Sequence, residues 1–164
     1  MPETEGPAPR TEANAELVAL LNATWFAADL PPQAQVRLAS LARRYQASAG
    51  TTLLAEGQLA NELGIVLSGR VSLRTLVPET GWITILTVEP GDVFGWSALV
   101  PPYRSTSTVV ALQPVDVLAL DGPGLRAALA ADHDLAAALY PRVLQALARR
   151  LTATRLQMLD LFAR

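Results

Sequence analysis

A run of four hydroxyl residues, Ser105-Thr106-Ser107-Thr108, follows directly on Tyr103-Arg104. In an extended segment side chains alternate in direction, so two of the hydroxyls point inward and Arg104 shares a face with Thr106. Hydroxyls hold phosphate more weakly than a guanidinium, yet well enough when backbone N–H groups lie beside them. Ordinary strand propensity explains the threonines equally well, and Arg104 reads either as an anion anchor or as a solvated loop charge. The remaining chemistry-bearing residues exclude more than they offer. The chain has no cysteine, which removes disulfides, thiolate zinc sites and cysteine nucleophiles. Its single histidine, His133, removes multi-histidine metal sites and sits between Asp132 and Asp134, where helix capping and exposure account for all three. Glu56 and Glu62 are near in sequence, but nothing makes them converge as a glycosidase-like pair. All 13 basic residues are arginine, and the net charge of -2 argues against a surface built to neutralise phosphates. Arg142, Arg149, Arg150 and Arg155 make the last helix basic and read as a solvated face.

The elements that position these residues follow from periodicity. With 51% hydrophobic and 17% charged residues, a chain of 164 suits one domain with a real core. Residues 1–12 are acidic and Pro-rich with almost nothing to bury, which predicts a disordered N-terminal segment and no secretory signal. No stretch approaches the roughly 18 consecutive apolar residues of a membrane span, so a cytoplasmic protein is expected. Leu17, Val18, Leu20 and Leu21 form a helical cluster ending at Trp25-Phe26. Pro31-Pro32 suits the first turn of a second helix carrying Val36, Leu38, Leu41 and Ala42 and ending near Arg44.

From about Tyr45 to Leu120 the period is two, with strands around Thr51–Leu54, Ile65–Leu67, Val71–Val77, Trp82–Leu86, Thr108–Leu112 and Val115–Leu120. Gly57, Gly69, Pro78–Gly81, Glu89–Asp92 and Pro114 punctuate them, the pattern of an antiparallel barrel or sandwich. Asp121 then N-caps a short helix through Leu125 and Leu129. Asp132–Arg164 reads as a long helix, kinked or restarted at Pro141. Leu144, Leu147, Leu151, Thr154, Met158 and Leu161 alternate spacings of three and four, a heptad seam. Leu156, Leu159 and Phe162 lie off the seam and also need cover, so one helix with two apolar faces suits packing on its own barrel and on a partner.

Three motifs in order then resemble a known family. Glu56-Gly57-Gln58 followed by Leu63–Val71 resembles its glycine-punctuated strand pair. Pro90-Gly91-Asp92-Val93-Phe94-Gly95 is similar to the turn that opens its phosphate-binding cassette. Ala148-Arg149-Arg150-Leu151 with Thr154 looks like the start of its dimer helix. The family is that of the cyclic-AMP receptor protein and FNR, and the resemblance spans about residues 15–164. It implies an α+β fold: an antiparallel β-roll, jelly-roll-like (a double-stranded β-helix), flanked by N-terminal helices and a long C-terminal dimerisation helix. Residues 13–130 would form the cyclic nucleotide-binding-like domain and 131–164 the dimerisation helix.

In the family, backbone N–H groups after the glycine cradle a cyclic phosphate. An Arg pairs with that phosphate, a Ser or Thr assists, a Glu takes the ribose hydroxyl and a dimer-helix residue contacts the base. Carried over residue by residue, the site comprises Gly95, Trp96, Ser97, Arg104, Thr106, Ser107, Thr154 and Arg155. Trp96 stands where the Glu is expected, as a stacking residue or core filler. Thr106 stands where the Arg is expected, Ser107 keeps the hydroxyl, Thr154 keeps the base-contacting threonine, and Arg155 stands where the family has Ser. Arg104, two residues early, is the substitute anchor if the loop slips. A charge-assisted hydrogen bond is worth roughly 1.5–3 kcal/mol, so losing the Arg alone weakens binding about tenfold to a hundredfold.

The expected function is a regulatory or sensor module, not an enzyme, acting as a homodimer through the C-terminal helix. No cofactor is fixed; cyclic AMP, cyclic GMP or another small anionic ligand fits the site type. A ligand-free scaffold for an unidentified protein partner is the alternative. A complete chain ending at Arg164, with no helix-turn-helix after the dimer helix, is not expected to bind DNA in the family's manner.

Overall fold

The computed structural model describes residues 10–162. Most of the expected lead-in, residues 1–9, lies outside them, and Arg10–Glu12 form the first turn of α1 (Arg10–Asn22). Pro31 precedes α2 (Pro32–Ala39), whose first helical position is a proline that has no N–H to leave unpaired. One sequence expectation is corrected here. The second helix does not run to Arg44; it stops at Ser40, and Ala42–Ala47 form strand β1. The reason is tertiary. Arg44 donates to both carboxylate oxygens of Asp116 (2.6–3.1 Å), while Arg43 and Tyr45 both reach Glu62. Those partners lie on strands that local helical spacing cannot register.

The roll continues with β2 (Thr52–Leu54), β3 (Glu62–Ser68), β4 (Val71–Val77), β5 (Gly81–Val88), β6 (Val93–Phe94), β7 (Thr108–Ala111) and β8 (Val115–Asp121). They form two antiparallel four-stranded sheets, ordered β1-β8-β3-β6 and β2-β7-β4-β5. The expected β-roll is the observed architecture.

Strand alternation divides the core in two. On β8, Val115, Val117 and Ala119 point between the sheets, while Leu118 and Leu120 point to the helices. Both faces are covered, so Val117–Leu120 reads as an unbroken apolar run. On β3, Leu63 and Ile65 face the helices and Val66 faces the roll interior. Gly64 also faces inward, where a Cβ would sit 2.2 Å from the Phe94 ring. Its lack of a side chain lets Phe94 fill the roll.

The helices cover the outer face of the first sheet. Asp121 caps α3 (Gly122–Ala131), its carboxylate accepting from the Gly124 N–H at 2.7 Å. Asp132 does the same for α4 (His133–Phe162), accepting from Leu135 N–H at 3.0 Å. Pro141 lies inside α4, which continues through it as one helix. Leu135, Leu139 and Val143 are buried, whereas Leu144, Leu151, Leu156, Met158 and Leu159 are exposed. The side chains of Leu161 and Phe162, the last expected members of the apolar faces, lie outside those described. Among the described residues, no helix is long and apolar enough to cross a membrane.

Candidate functional site

The turn before the cassette is tied to the roll. Gly91 N–H donates to Val66 O (2.7 Å) and Val66 N–H donates to Asp92 O (3.0 Å), which fixes Glu89–Asp92 against β3. β6 then delivers Gly95, which holds φ +78° and whose Cβ, if present, would lie 2.4 Å from the Glu62 carbonyl oxygen. Only glycine fits this combination. The chain turns there into a short 3-10 helix, Trp96–Leu99. Ser97 is buried in it. Trp96 packs with Leu99 against the helix-side core, not among the side chains of the roll interior.

The second half of the cassette is stitched to the turn around Gly57. Gly57 N–H donates to Ser105 O (2.8 Å), Ser105 N–H to Gln58 O (2.9 Å) and Ala60 N–H to Tyr103 O (2.8 Å). Alternation holds from Arg104 to Ser107, with Ser105 and Ser107 buried and Arg104 and Thr106 exposed. It then breaks, because Thr108 is buried as well, so three of the four hydroxyl residues lie inside where two were expected. The Ser105 hydroxyl donates to Ser107 O at 2.6 Å, and Thr108 Oγ1 accepts from Glu56 N–H at 3.0 Å. Two of the four hydroxyls are thus engaged with backbone groups. Arg104 donates to the Gly57 carbonyl at 2.9 Å. Glu56 accepts from the Thr75 hydroxyl, and Glu62 from Tyr45 and Arg43, so the two glutamates serve different clusters. Burial first, then the Glu62 charge, pushes the Tyr45 phenol far above its ordinary value.

The structure brings Gly95, Trp96 and Ser97 together in one turn and sets Arg104 and Thr106 on one exposed edge. Thr154 and Arg155 stand apart, on the distal half of α4. The Thr154 hydroxyl donates to Arg150 O within its own helix (3.0 Å), and Arg155 is exposed. His133 is exposed, and no group of three or more potential metal ligands converges among the described residues.

Three arginines act here that the sequence reading left among solvated charges or did not single out. Arg126 of α3 donates to Ala98 O at 2.6 Å and lies 4.2 Å over the Tyr103 ring, clamping the cassette from outside. Arg149 lies 4.0 Å over the ring of Trp25, whose indole N–H donates to Asp92 at 3.0 Å. Arg150 donates to Val93 O at 2.6 Å, and its Nη1 is buried with no hydrogen-bond partner among the described residues. Burial holds its pKa below the ordinary guanidinium value, with Asp92 partly opposing the shift. An unpaired buried donor costs about 1–3 kcal/mol, more when charged. The only signal in the sequence was the Ala148–Leu151 motif, which says nothing about helix rotation.

A cavity of about 230 Å³ lies beside Arg150, between α4 and the ends of β5 and β6, and no residue of 95–107 lines it.

Comparison with known proteins matches this architecture. The family model described as the cyclic nucleotide-binding domain matches residues 44–132, more than half of the chain. The chain is 31% identical over 113 residues to a CRP-like cAMP-activated global transcriptional regulator of Mycobacterium tuberculosis, covering 68% of this chain and 48% of that protein. It therefore spans about half the length of the curated relatives it matches. A solved cyclic nucleotide-binding domain from Methylobacillus flagellatus KT superposes with TM-score 0.75 at 25% identity, covering 91% of this chain and 84% of that one. A structure described as a cyclic nucleotide-binding protein from Geobacter metallireducens GS-15 superposes with TM-score 0.73 at 29% identity, covering 80% and 95%. On the family match over residues 44–132, the chain belongs to the cyclic nucleotide-binding domain family.

Proposed function

We propose that this chain is a non-enzymatic sensor module of the cytoplasm, working as a homodimer through α4, with a cassette that has lost the usual grip on cyclic AMP. The carrying observation is the direction of Arg104. Its guanidinium is spent on the Gly57 carbonyl at an exposed edge, and only small hydroxyls point inward from the same segment. A cyclic phosphate entering the cassette would meet the N–H groups after Gly95, with Ser97 and Ser107 beside them, while Thr106 shares the exposed edge with Arg104. No inward cation from the cassette would balance its charge. Thr154 and Arg155 would carry ligand contact into the dimer helix. Exposed Leu144, Leu151 and Met158 supply the apolar face for a second copy of the chain.

The second reading is a ligand-free dimerisation or protein-interaction scaffold. It is favoured by Trp96, which stands where the resemblance expects the ribose-binding Glu and is half-buried against the helix-side core.

Calorimetric titration of the purified protein with cyclic AMP and cyclic GMP, beside Arg104→Ala, separates the readings. Weak, saturable heat for either nucleotide supports the sensor, and its loss in Arg104→Ala would make Arg104 the replacement anchor. Flat traces for both nucleotides reject nucleotide sensing and leave a non-nucleotide ligand or the ligand-free scaffold. Binding as tight as in a cassette with its Arg and Glu intact would overturn the claim of a weakened site.

A further inference from the structure

We propose that the seam between α4 and the sheet edges β5 and β6 is a binding site for a small oxyanion, a phosphate or carboxylate group, anchored by Arg150. β5 ends one sheet and β6 ends the other, and the Glu89–Asp92 turn joins them. The roll is therefore open along this line, and α4 lies across the opening. The cavity there is walled by Thr87, Val88 and Val93 from the strands and by small Ala146 and Ala153 from the helix, with Arg150 between them.

Arg150 is the group left unsatisfied. One amino group is used on Val93 O, the other is buried without a partner, and no carboxylate lies within ion-pair distance among the described residues. A guanidinium presents paired N–H groups in a plane, the geometry that matches two oxygens of a carboxylate or phosphate. A neutral ligand would pair the N–H and leave the charge uncompensated.

The nearby charges favour an anion. Arg149 adds a second guanidinium to the cavity wall. Asp92 also lines it and opposes an anion, but its carboxylate is engaged by the Trp25 indole N–H. Two cations face one carboxylate. An anion seated there would touch α4 and the strand ends together, fastening the helix to the roll. The cavity shares the turn that leads into the cassette, but no residue of 95–107 lines it.

The test uses the full chain in chloride-free buffer, titrated separately with inorganic phosphate and with succinate, while NMR follows the backbone N–H signals of Thr87, Val93 and Ala153, which line the cavity. A saturable shift with either anion is expected, and which one binds more tightly identifies the oxyanion class. Arg150→Gln should abolish it, and Arg150→Lys, which keeps the charge and loses the fork, should weaken it about tenfold to a hundredfold. Asp92→Asn, which keeps the acceptor for Trp25, should tighten binding. Ser107→Ala should leave it unchanged, which separates this site from the cassette and its failure from that of nucleotide sensing. Absence of a saturable shift with both anions overturns the proposal. So does binding that survives in Arg150→Lys at full strength but vanishes in Ser107→Ala.

Discussion

The two halves of α4 have similar leucine-rich sequences and opposite surroundings. In the first half Leu135, Leu139 and Val143 lie against the outer face of the first sheet, Leu139 with no exposed surface at all. In the second half Leu151, Leu156, Met158 and Leu159 are each more than half exposed. Leu144, Leu151 and Met158 are seven residues apart, which on an α-helix is two turns less about 20°, so they fall along one line. Single exposed apolar residues are ordinary, but an aligned row marks a surface that something else covers. The difference teaches that the first half of α4 completes the core of the domain, whereas the second half leaves an apolar row exposed.

Leu139→Ala gives the largest expected effect, a loss of about 2–5 kcal/mol in denaturant unfolding, because it opens a cavity in a packed interior. Leu144→Ala, one turn away and 65% exposed, should change protomer stability by no more than about 0.5 kcal/mol. Equal losses at the two sites would end the distinction between the halves. Quaternary structure should show the reverse order. Leu151→Glu combined with Met158→Glu is expected to leave the far-ultraviolet circular dichroism unchanged while shifting sedimentation from dimer to monomer. A dimer that persists at the same concentration would move the partner surface off α4.

The same contrast explains what could be read from the sequence. The strands were legible because glycine and proline punctuate short alternating runs. Both caps, Asp121 and Asp132, were legible because a carboxylate serves the first free N–H groups of a helix wherever it packs. β1 was not legible. Val36, Leu38, Leu41 and Ala42 keep a helical spacing across Ser40, and the strand that replaces it depends on Asp116, 72 residues further along the chain from Arg44. β6 has two residues, too few to form a pattern. The glycine turn of the cassette could be placed from Pro90–Gly95, but the packing of Trp96 depends on helices folding over it. Arg150 was hidden for the same reason: the sequence shows a basic helix, and only the rotation of α4 against β6 selects which arginine is drawn inward.

Capping sharpens the comparison on a smaller scale. Asp132→Ala removes the carboxylate that receives Leu135 N–H at the start of the covered half, with an expected loss of about 1 kcal/mol. Amide exchange would resolve where the loss is felt. Faster exchange confined to the first turns would show that the covered half is held by its own contacts, whereas faster exchange through Leu159 would show the two halves to be one cooperative unit.

Thr154→Ala should have the smallest effect on folding. Its hydroxyl donates to Arg150 O, a carbonyl within reach of its own helical N–H, and alanine is the better helix former. Stability should therefore change by less than about 0.5 kcal/mol. That small background makes the substitution informative, because any change in ligand affinity or dimer dissociation then cannot be attributed to a loosened helix. Thr154 is half-buried on the distal half, and under the proposed function it is where a ligand would influence the dimer. A parallel change in cyclic nucleotide affinity and dimer dissociation would join the two halves functionally. If both stay at their wild-type values, the transmission assigned to Thr154 and Arg155 fails, and the distal half is an assembly surface alone.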